Sequence, residues 1–121
     1  MKHILMIATG GTIASKATAD GLTPQLTSKE LLAEVPELEQ LCRIDTVQLM
    51  NRDSTNINSR DWLQMAACVR AHYDAYDGFV LTHGTDTMAY TAAALSYLIQ
   101  NNAKPVVITG SEKSIFNQDT D

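Results

Sequence analysis

The chain has 121 residues, 45% of them hydrophobic and 19% charged, with a formal net charge of −5 at pH 7. This length and composition are typical of one globular domain with a buried core. Lys and Arg form no block or stripe, which argues against a nucleic-acid partner, and no apolar run approaches the roughly 20 residues of a membrane-spanning helix. Cys42 and Cys68 fit no metal-binding spacing, so we expect small buried side chains in a reducing cytoplasm, with a disulfide as the alternative.

The amino-terminal part predicts a buried strand followed by a loop. Residues 2–8 contain the nearly continuous apolar run HILMIA, which is typical of a parallel strand covered on both faces. After a glycine turn, the polar stretch 15–27 has no periodicity and contains Gly21 and Pro24. It therefore predicts a loop.

The rest of the chain alternates helix and strand. The capping-box sequence Thr27-Ser28-Lys29-Glu30 predicts the start of a short helix that Pro36 ends. Asn58 or Ser59 starts a second helix, whose apolar side chains recur every three or four residues as far as Tyr73. A third helix is predicted over residues 87–101, and the remaining strands over 43–50, 79–82 and 105–109.

This βαβαβαβ order predicts an α/β fold, a flavodoxin-like three-layer arrangement with a parallel sheet and helices on both faces. In open sheets of this kind, ligands bind outside the carboxyl ends of the strands. The four loops at those ends read TGGT, DST, HGTDT and GSE, and they are the richest in hydroxyl groups and glycine. We therefore expect one binding site at this edge of the sheet.

The first of these loops, Thr9-Gly10-Gly11-Thr12, is open to three interpretations. A phosphate or dinucleotide loop would need G-x-x-x-x-G-K-[ST] or G-x-G-x-x-G, and neither pattern is present. A plain tight turn would use the glycines for positive φ. In the third interpretation, Gly11 lets a substrate approach backbone N–H groups that stabilise an oxyanion. Thr12 then presents a hydroxyl that a base from another loop must activate.

The second and third loops also have structural alternatives. Thr85 or Asp86 is a candidate N-cap of the following helix, Asp53-Ser54-Thr55 is a candidate Asx turn, and Asp53 with Asp86 is a candidate Mg²⁺ pair. The functional interpretation is a hydrogen-bonding cup for a small zwitterion, with carboxylates for its ammonium group and hydroxyl and N–H groups for its carboxylate. We expect His83 to be a packed, hydrogen-bonded residue rather than a base.

Four segments resemble the bacterial type I L-asparaginases: TGGTIAS, MNRDSTN, YDAYDGFVLTHGTDTMAYTAAALSYL and KPVVITGS. The resemblance extends from Met1 to Asp121. It implies the N-terminal part of a larger N-terminal α/β domain, which a smaller C-terminal domain follows in the family. Members hydrolyse L-asparagine to L-aspartate and ammonia without a metal or cofactor. The resemblance also implies a cytoplasmic homo-oligomer, a dimer or a tetramer.

The resemblance assigns roles to individual residues. Thr12 matches the nucleophile, and Thr85 and Asp86 match a second catalytic group. Ser54 matches the residue that binds the substrate α-carboxylate, and Asp86 also matches the acid that holds its α-ammonium group. The substrate-binding residues implied in this way are Gly11, Asp53, Ser54, Thr55, Thr85 and Asp86.

The chain departs from the family pattern in several places. Neither Lys104 nor Lys113 matches the family's catalytic lysine, the turn GSQxP reads GSEKS, and Leu22 replaces a frequent tyrosine. The ending FNQDTD shows neither a helix end nor a polar tail. We therefore expect a fragment that lacks the C-terminal domain and is inactive alone. The alternatives are a fragment that only binds a small amino acid, a phosphate- or nucleotide-binding module, and a related amidotransferase subunit that acts on aminoacyl-tRNA.

Overall fold

The computed structural model describes residues 1–18, 21–24 and 27–117. Its strands and helices confirm the predicted alternation of strand and helix, and short 3-10 helices lie between some of them. In chain order these elements are β1 (His3–Gly10), β2 (Ser15–Thr18), β3 (Gly21–Pro24), α1 (Ser28–Ala33), β4 (Arg43–Arg52), α2 (Ser59–His72), β5 (Gly78–Thr82), α3 (Met88–Leu98) and β6 (Val106–Thr109), with 3-10 helices at Thr12–Ala14, Pro36–Gln40, Ser54–Asn56 and Tyr73–Ala75.

The main sheet is parallel, and its strand order is β4-β1-β5-β6. The central strand β1 pairs Ile4 with Ile44 of β4 on one side and with Gly78 of β5 on the other. Because all four strands run in one direction, their carboxyl ends lie at one edge, and the loops that follow them meet there.

Helices cover both faces of this sheet. Leu5 and Ile7 of β1 pack with Leu95 in the core formed with α2 and α3. Met6, between them, packs on the opposite face with Leu31 of α1. Successive strand residues point to opposite faces, so the unbroken apolar run of β1 serves two cores. The predicted three-layer α/β fold is confirmed.

The loop predicted over residues 15–27 is wrong for β2 and β3. These strands form an antiparallel pair in which Ser15 lies opposite Pro24 and Thr18 opposite Gly21. Such a ribbon is held by backbone hydrogen bonds across a short connection, so it needs no apolar periodicity that a sequence could show. Residues 19–20 and 25–26, the side chain of Leu22 and the ending 118–121 lie outside the described part of the chain.

The helix starts follow the predicted caps in two of three cases. The capping box at Thr27 begins α1, and the side chain of Asn58 caps α2. The N-cap of α3 is Thr87, so the alternative in which Thr85 or Asp86 caps this helix is wrong. Helical backbone begins only after Thr87, which leaves both residues in the loop that follows β5.

Both cysteines are free thiols, so the disulfide alternative is wrong. Cys68 is buried as expected, and burial raises the pKa of its thiol. Cys42 is only half-buried, at the end of the connection into the edge strand β4. No helix in the described ranges is long and apolar enough to cross a membrane.

Candidate active site

A pocket of about 60 Å³ lies at the carboxyl ends of β1, β4 and β5, and we call it the carboxyl-edge pocket. Three of the four loops predicted to meet at this edge contribute to it. Residues 110–112, the fourth loop, are not part of the lining; Gly110 packs behind it, against the carbonyl group of His83. The pocket is lined by Gly11, Thr12, Ser15, Asp53, Ser54, Gly84, Thr85 and Asp86.

Thr55 is the one candidate site residue that does not line the pocket. It is exposed, and its N–H and its hydroxyl each donate a hydrogen bond to Oδ1 of Asp53, both at 3.1 Å. This is the Asx turn expected on local grounds, and it orients the Asp53 carboxylate. The candidates that the structure does bring together are Gly11, Thr12, Asp53, Ser54, Thr85 and Asp86.

The turn after β1 depends on glycine. Gly11 has φ +92° and ψ 179°, a backbone conformation that is essentially restricted to glycine. A Cβ on Gly11 would lie 2.5 Å from the backbone nitrogen of Gly84. The tight-turn interpretation is therefore correct for the backbone. Gly11 also lines the pocket, so a ligand there can approach the backbone of this turn.

The loop after β4 and the loop after β5 approach each other as closely as Gly11 approaches Gly84. A Cβ on Gly84 would lie 2.5 Å from Cβ of Ser54. The hydroxyl of Thr87 donates a hydrogen bond to the backbone carbonyl of Ser54 at 2.8 Å, and Ser54 itself is buried. These contacts hold the Ser54 turn against the loop that carries Thr85 and Asp86.

The pocket contains polar groups that the rest of the described chain does not use. The hydroxyls of Thr12 and Thr85 and the carboxylate of Asp86 make no hydrogen bond to any described residue. Ser15, in contrast, is buried and donates its hydroxyl hydrogen to the Gly11 carbonyl at 2.8 Å. A nucleophile or a ligand-binding group must be available to a ligand, and the side chains of Thr12, Thr85 and Asp86 meet that condition.

The charge in the pocket favours a cationic group over an anion. Asp53 and Asp86 belong to the lining, whereas its residues include no Lys or Arg. Lys104 precedes β6, and its Nζ donates a hydrogen bond to the Tyr73 carbonyl at 2.5 Å. A bound phosphate would therefore face two carboxylates without a compensating cation, while an ammonium group would be stabilised. Within the described ranges, no three His, Cys, Asp or Glu residues form a potential metal-binding group.

Two residues of the lining, Ser15 and Gly84, were not singled out from the sequence. Ser15 belongs to the same TGGTIAS segment as Thr12, but its serine hydroxyl had no evident partner in the sequence. Gly84 stands between His83 and Thr85, where the need for a missing side chain arises only from the approach of Ser54. That contact joins residues distant in the sequence, so no local pattern could reveal it.

His83 is fully buried and hydrogen-bonded, as predicted. Its Nδ1 lies 2.6 Å from the carbonyl oxygen of Gly84, and its Nε2 lies 2.9 Å from Oγ1 of Thr91. It is not part of the pocket lining.

An open parallel α/β sheet with a hydroxyl-rich, acidic pocket at its carboxyl edge defines the general class, a small-ligand site on a doubly wound fold. The family model described as "Asparaginase, N-terminal" matches residues 3–121. The chain therefore belongs to the asparaginase family.

Curated relatives and solved structures agree with this assignment. The chain is 42% identical over 119 residues to an L-asparaginase of Thermococcus kodakarensis, a match that covers 98% of this chain and 36% of that protein. It is 40% identical over 116 residues to a glutamyl-tRNA(Gln) amidotransferase subunit of Archaeoglobus fulgidus, with 94% and 28% covered. The solved structure of the thermostable L-asparaginase from Thermococcus kodakarensis superposes with a TM-score of 0.88 at 41% identity, with 98% and 37% covered. The chain thus spans about a third of the length of these proteins.

Proposed function

We propose that this chain is the N-terminal part of a cytoplasmic L-asparaginase of the bacterial type I kind, which hydrolyses L-asparagine to L-aspartate and ammonia. The observation that carries the proposal is the grouping of Thr12, Thr85 and Asp86 in one pocket with their polar groups unused by the described residues. Membership of the asparaginase family and the relatives named L-asparaginase support the same activity.

In the proposed reaction, Thr12 is the nucleophile. Its Oγ1 attacks the side-chain amide carbon of asparagine, and its hydroxyl proton passes to a base. The C–N bond then breaks, the nitrogen leaves as ammonia with that proton, and an acyl-enzyme remains. Water attacks the ester and releases aspartate. Backbone N–H groups around Gly11, which belongs to the pocket lining, would stabilise the oxyanion in both steps.

The rest of the pocket would bind the amino-acid part of the substrate. Asp86 would pair with the α-ammonium group, and Ser54, at the start of a 3-10 helix, would donate hydrogen bonds to the α-carboxylate. Asp53 adds a second carboxylate to the lining. This division follows from the acidic lining, which disfavours a purely anionic ligand.

The proposed enzyme needs more than the residues present here. Thr85 and Asp86 would act with a lysine from the remainder of the protein, because Lys104 is engaged at the opposite end of β6 and Lys113 is not part of the lining. The C-terminal domain and a homo-oligomer, a dimer or a tetramer, complete the proposed assembly.

A second candidate is an amidotransferase subunit. The 40% identity to a glutamyl-tRNA(Gln) amidotransferase subunit favours it. The same pocket would then release ammonia from an amide for transfer to a second substrate rather than into solution.

The test measures ammonia release by the complete protein and by its Thr12→Val and Thr12→Ser variants. Valine has the shape of threonine without the hydroxyl, so we expect a loss of at least about 10³-fold in kcat, whereas serine retains part of the activity. Asparagine hydrolysis by Thr12→Val at the wild-type rate would contradict the assignment. Ammonia release that depends on aminoacyl-tRNA would favour the second candidate.

A further inference from the structure

A chain of hydrogen bonds runs from helix α2 to the wall of the carboxyl-edge pocket. The indole Nε1–H of Trp62 donates to Oγ1 of Thr91 at 2.9 Å. Oγ1 of Thr91 lies 2.9 Å from Nε2 of His83, and Nδ1 of His83 lies 2.6 Å from the carbonyl oxygen of Gly84. Three elements, α2, α3 and the loop after β5, are thereby joined at a residue of the pocket lining.

The hydrogen-bond partners of His83 specify one tautomer of its ring. A carbonyl oxygen can only accept a hydrogen bond, so Nδ1 must carry the hydrogen. In the neutral ring, Nε2 then has none and must accept. The Thr91 hydroxyl has its own hydrogen to give, because its oxygen accepts from Trp62. Free histidine in water prefers the other tautomer, with the hydrogen on Nε2.

The surroundings leave His83 no alternative position. Its side chain and that of Thr91 are fully buried. The backbone N–H of His83 donates a hydrogen bond to the carbonyl of Thr109 in β6 at 2.9 Å, and Gly110 packs against the carbonyl group of His83. The ring is therefore held in a fixed direction relative to the sheet edge.

The consequence for the pocket follows from the planarity of the peptide bond. In a trans peptide the C=O of one residue and the N–H of the next point in opposite directions, and the described chain contains no cis peptide bond. The Gly84 carbonyl points to the buried His83 ring. The N–H of Thr85 therefore points away from that ring, and the peptide that carries Thr85 cannot rotate without breaking this hydrogen bond.

We propose that His83 is a positioning residue, set in the Nδ1–H tautomer by Thr91 and Trp62, that fixes the Gly84–Thr85 peptide for catalysis. This inference rests on the proposed function only for its kinetic consequence. A positioning role differs from a packing role. Packing would need only the ring of His83, whereas positioning needs a hydrogen-bond donor at the place of Nδ1.

Two substitutions separate these roles. His83→Asn places an amide nitrogen one bond from Cγ, as Nδ1 is, and so keeps a donor for the Gly84 carbonyl. His83→Gln places its nitrogen one bond further, near Nε2, and so keeps the contact with Thr91 but not the donor. Both replace a buried ring by an amide, and each serves as the control for the other.

The experiment uses the complete protein, with kcat and KM for asparagine and the ¹⁵N NMR spectrum of the imidazoles. The imidazole signals of His83 are those that the spectrum of His83→Asn lacks. We expect them to show a hydrogen on Nδ1. We expect kcat to fall about 10-fold or more in His83→Gln at similar KM, and much less in His83→Asn. Thr91→Val should reduce the population of the Nδ1–H tautomer, and Thr91→Ser should preserve it. These two milder variants test the proposal if the His83 variants fold poorly.

The outcomes distinguish the two proposals. A wild-type protein that hydrolyses no asparagine would refute the proposed function, while the spectrum still decides the tautomer. An active wild-type protein with equal kcat in His83→Asn and His83→Gln would refute the positioning role alone. A hydrogen on Nε2 of His83 in the wild type would refute the assigned tautomer and with it the proposal.

Discussion

Gly11 and Gly84 approach each other so closely that a Cβ on Gly11 would lie 2.5 Å from the nitrogen and 2.6 Å from Cα of Gly84. Real Cβ atoms essentially never come this close to backbone atoms, so the contact excludes any side chain at Gly11. It brings the backbone of the loop after β1 against the backbone of the loop after β5. Both glycines belong to the lining, so part of the wall of the carboxyl-edge pocket is backbone.

Gly11→Ala is the first test of this arrangement. Alanine at φ +92° and ψ 179° would be strained by about 1–3 kcal/mol before any contact with Gly84 is counted. We expect a lower free energy of unfolding in urea and a loss of aspartate binding. Gly78→Ala is the matched control. It also adds a Cβ at a close contact, 3.1 Å from Cγ of Pro105, but at a φ outside the positive range, so it separates crowding from backbone strain. Equal stability of Gly11→Ala and the wild type would contradict the described turn.

Thr87→Val tests the hydrogen bond between the two loops. The variant keeps the shape of threonine but removes the donor to the Ser54 carbonyl, a bond of 2.8 Å. We expect a loss of about 1 kcal/mol in the free energy of unfolding and weaker aspartate binding, because the Ser54 turn is no longer held against this loop. Thr87→Ser retains the hydroxyl and should behave like the wild type. Calorimetric titration with aspartate measures the affinity, and unchanged affinity in Thr87→Val would argue against this role of Thr87.

Hydrogen bonds at the amino end of α2 lead to a prediction about stability alone. The Asn58 side chain accepts from the N–H groups of Arg60 and Asp61. The buried Asp61 carboxylate accepts from the Asn58 N–H at 3.0 Å and from Arg52 at 3.3 Å.

We therefore expect Asn58→Ala to cost roughly 1 kcal/mol of unfolding free energy. Asp61→Ala should cost about 1–3 kcal/mol, since it leaves partners unpaired around a buried site. The exposed Ser59→Ala should lie within about 0.5 kcal/mol of the wild type. Urea denaturation measures all three, and an effect of Ser59→Ala as large as that of Asn58→Ala would contradict the capping assignment.

Much of the fold could be predicted because its signals are local. Three kinds of signal can each be recognised in a few residues: the apolar run of β1, the capping box at Thr27 with the cap at Asn58, and the polar loops after the strands. Parallel strands then place those loops at one edge, which is why Thr12, Ser54 and Asp86 could be grouped from the sequence alone.

The features that could not be predicted depend on contacts between distant segments. The hydroxyl of Thr87 bonds to a carbonyl 33 residues earlier, and Gly84 is required only because Ser54 packs against it. The β2–β3 pair has no apolar alternation. Thr85 and Asp86, the candidate N-caps of α3, lie instead in the loop that lines the pocket, and Thr87 is the N-cap.

The opposite end of the sheet gives a prediction about pH. The Asp45 carboxylate accepts hydrogen bonds from the Tyr76 hydroxyl at 2.9 Å and from Nε2 of His3 at 2.8 Å. These two bonds, the one from Tyr76 first, lower the pKa of Asp45 below its ordinary value of 3.8. A lowered pKa means that folding favours the ionised form. The stabilisation is therefore present above the unfolded pKa and is lost as the pH falls through the folded pKa.

Tyr76→Phe removes the larger of the two causes. We expect the pKa of Asp45, followed by NMR of its carboxyl carbon, to rise toward 3.8 in this variant. The loss of stability on acidification, followed by urea denaturation over roughly pH 5 to 2, should become shallower, because one group then binds protons more equally in the folded and unfolded states. Tyr97→Phe is the matched control, since Tyr97 is 77% exposed on α3. An unchanged titration of Asp45 in Tyr76→Phe would contradict the Tyr76 hydrogen bond as the larger cause of the lowered pKa.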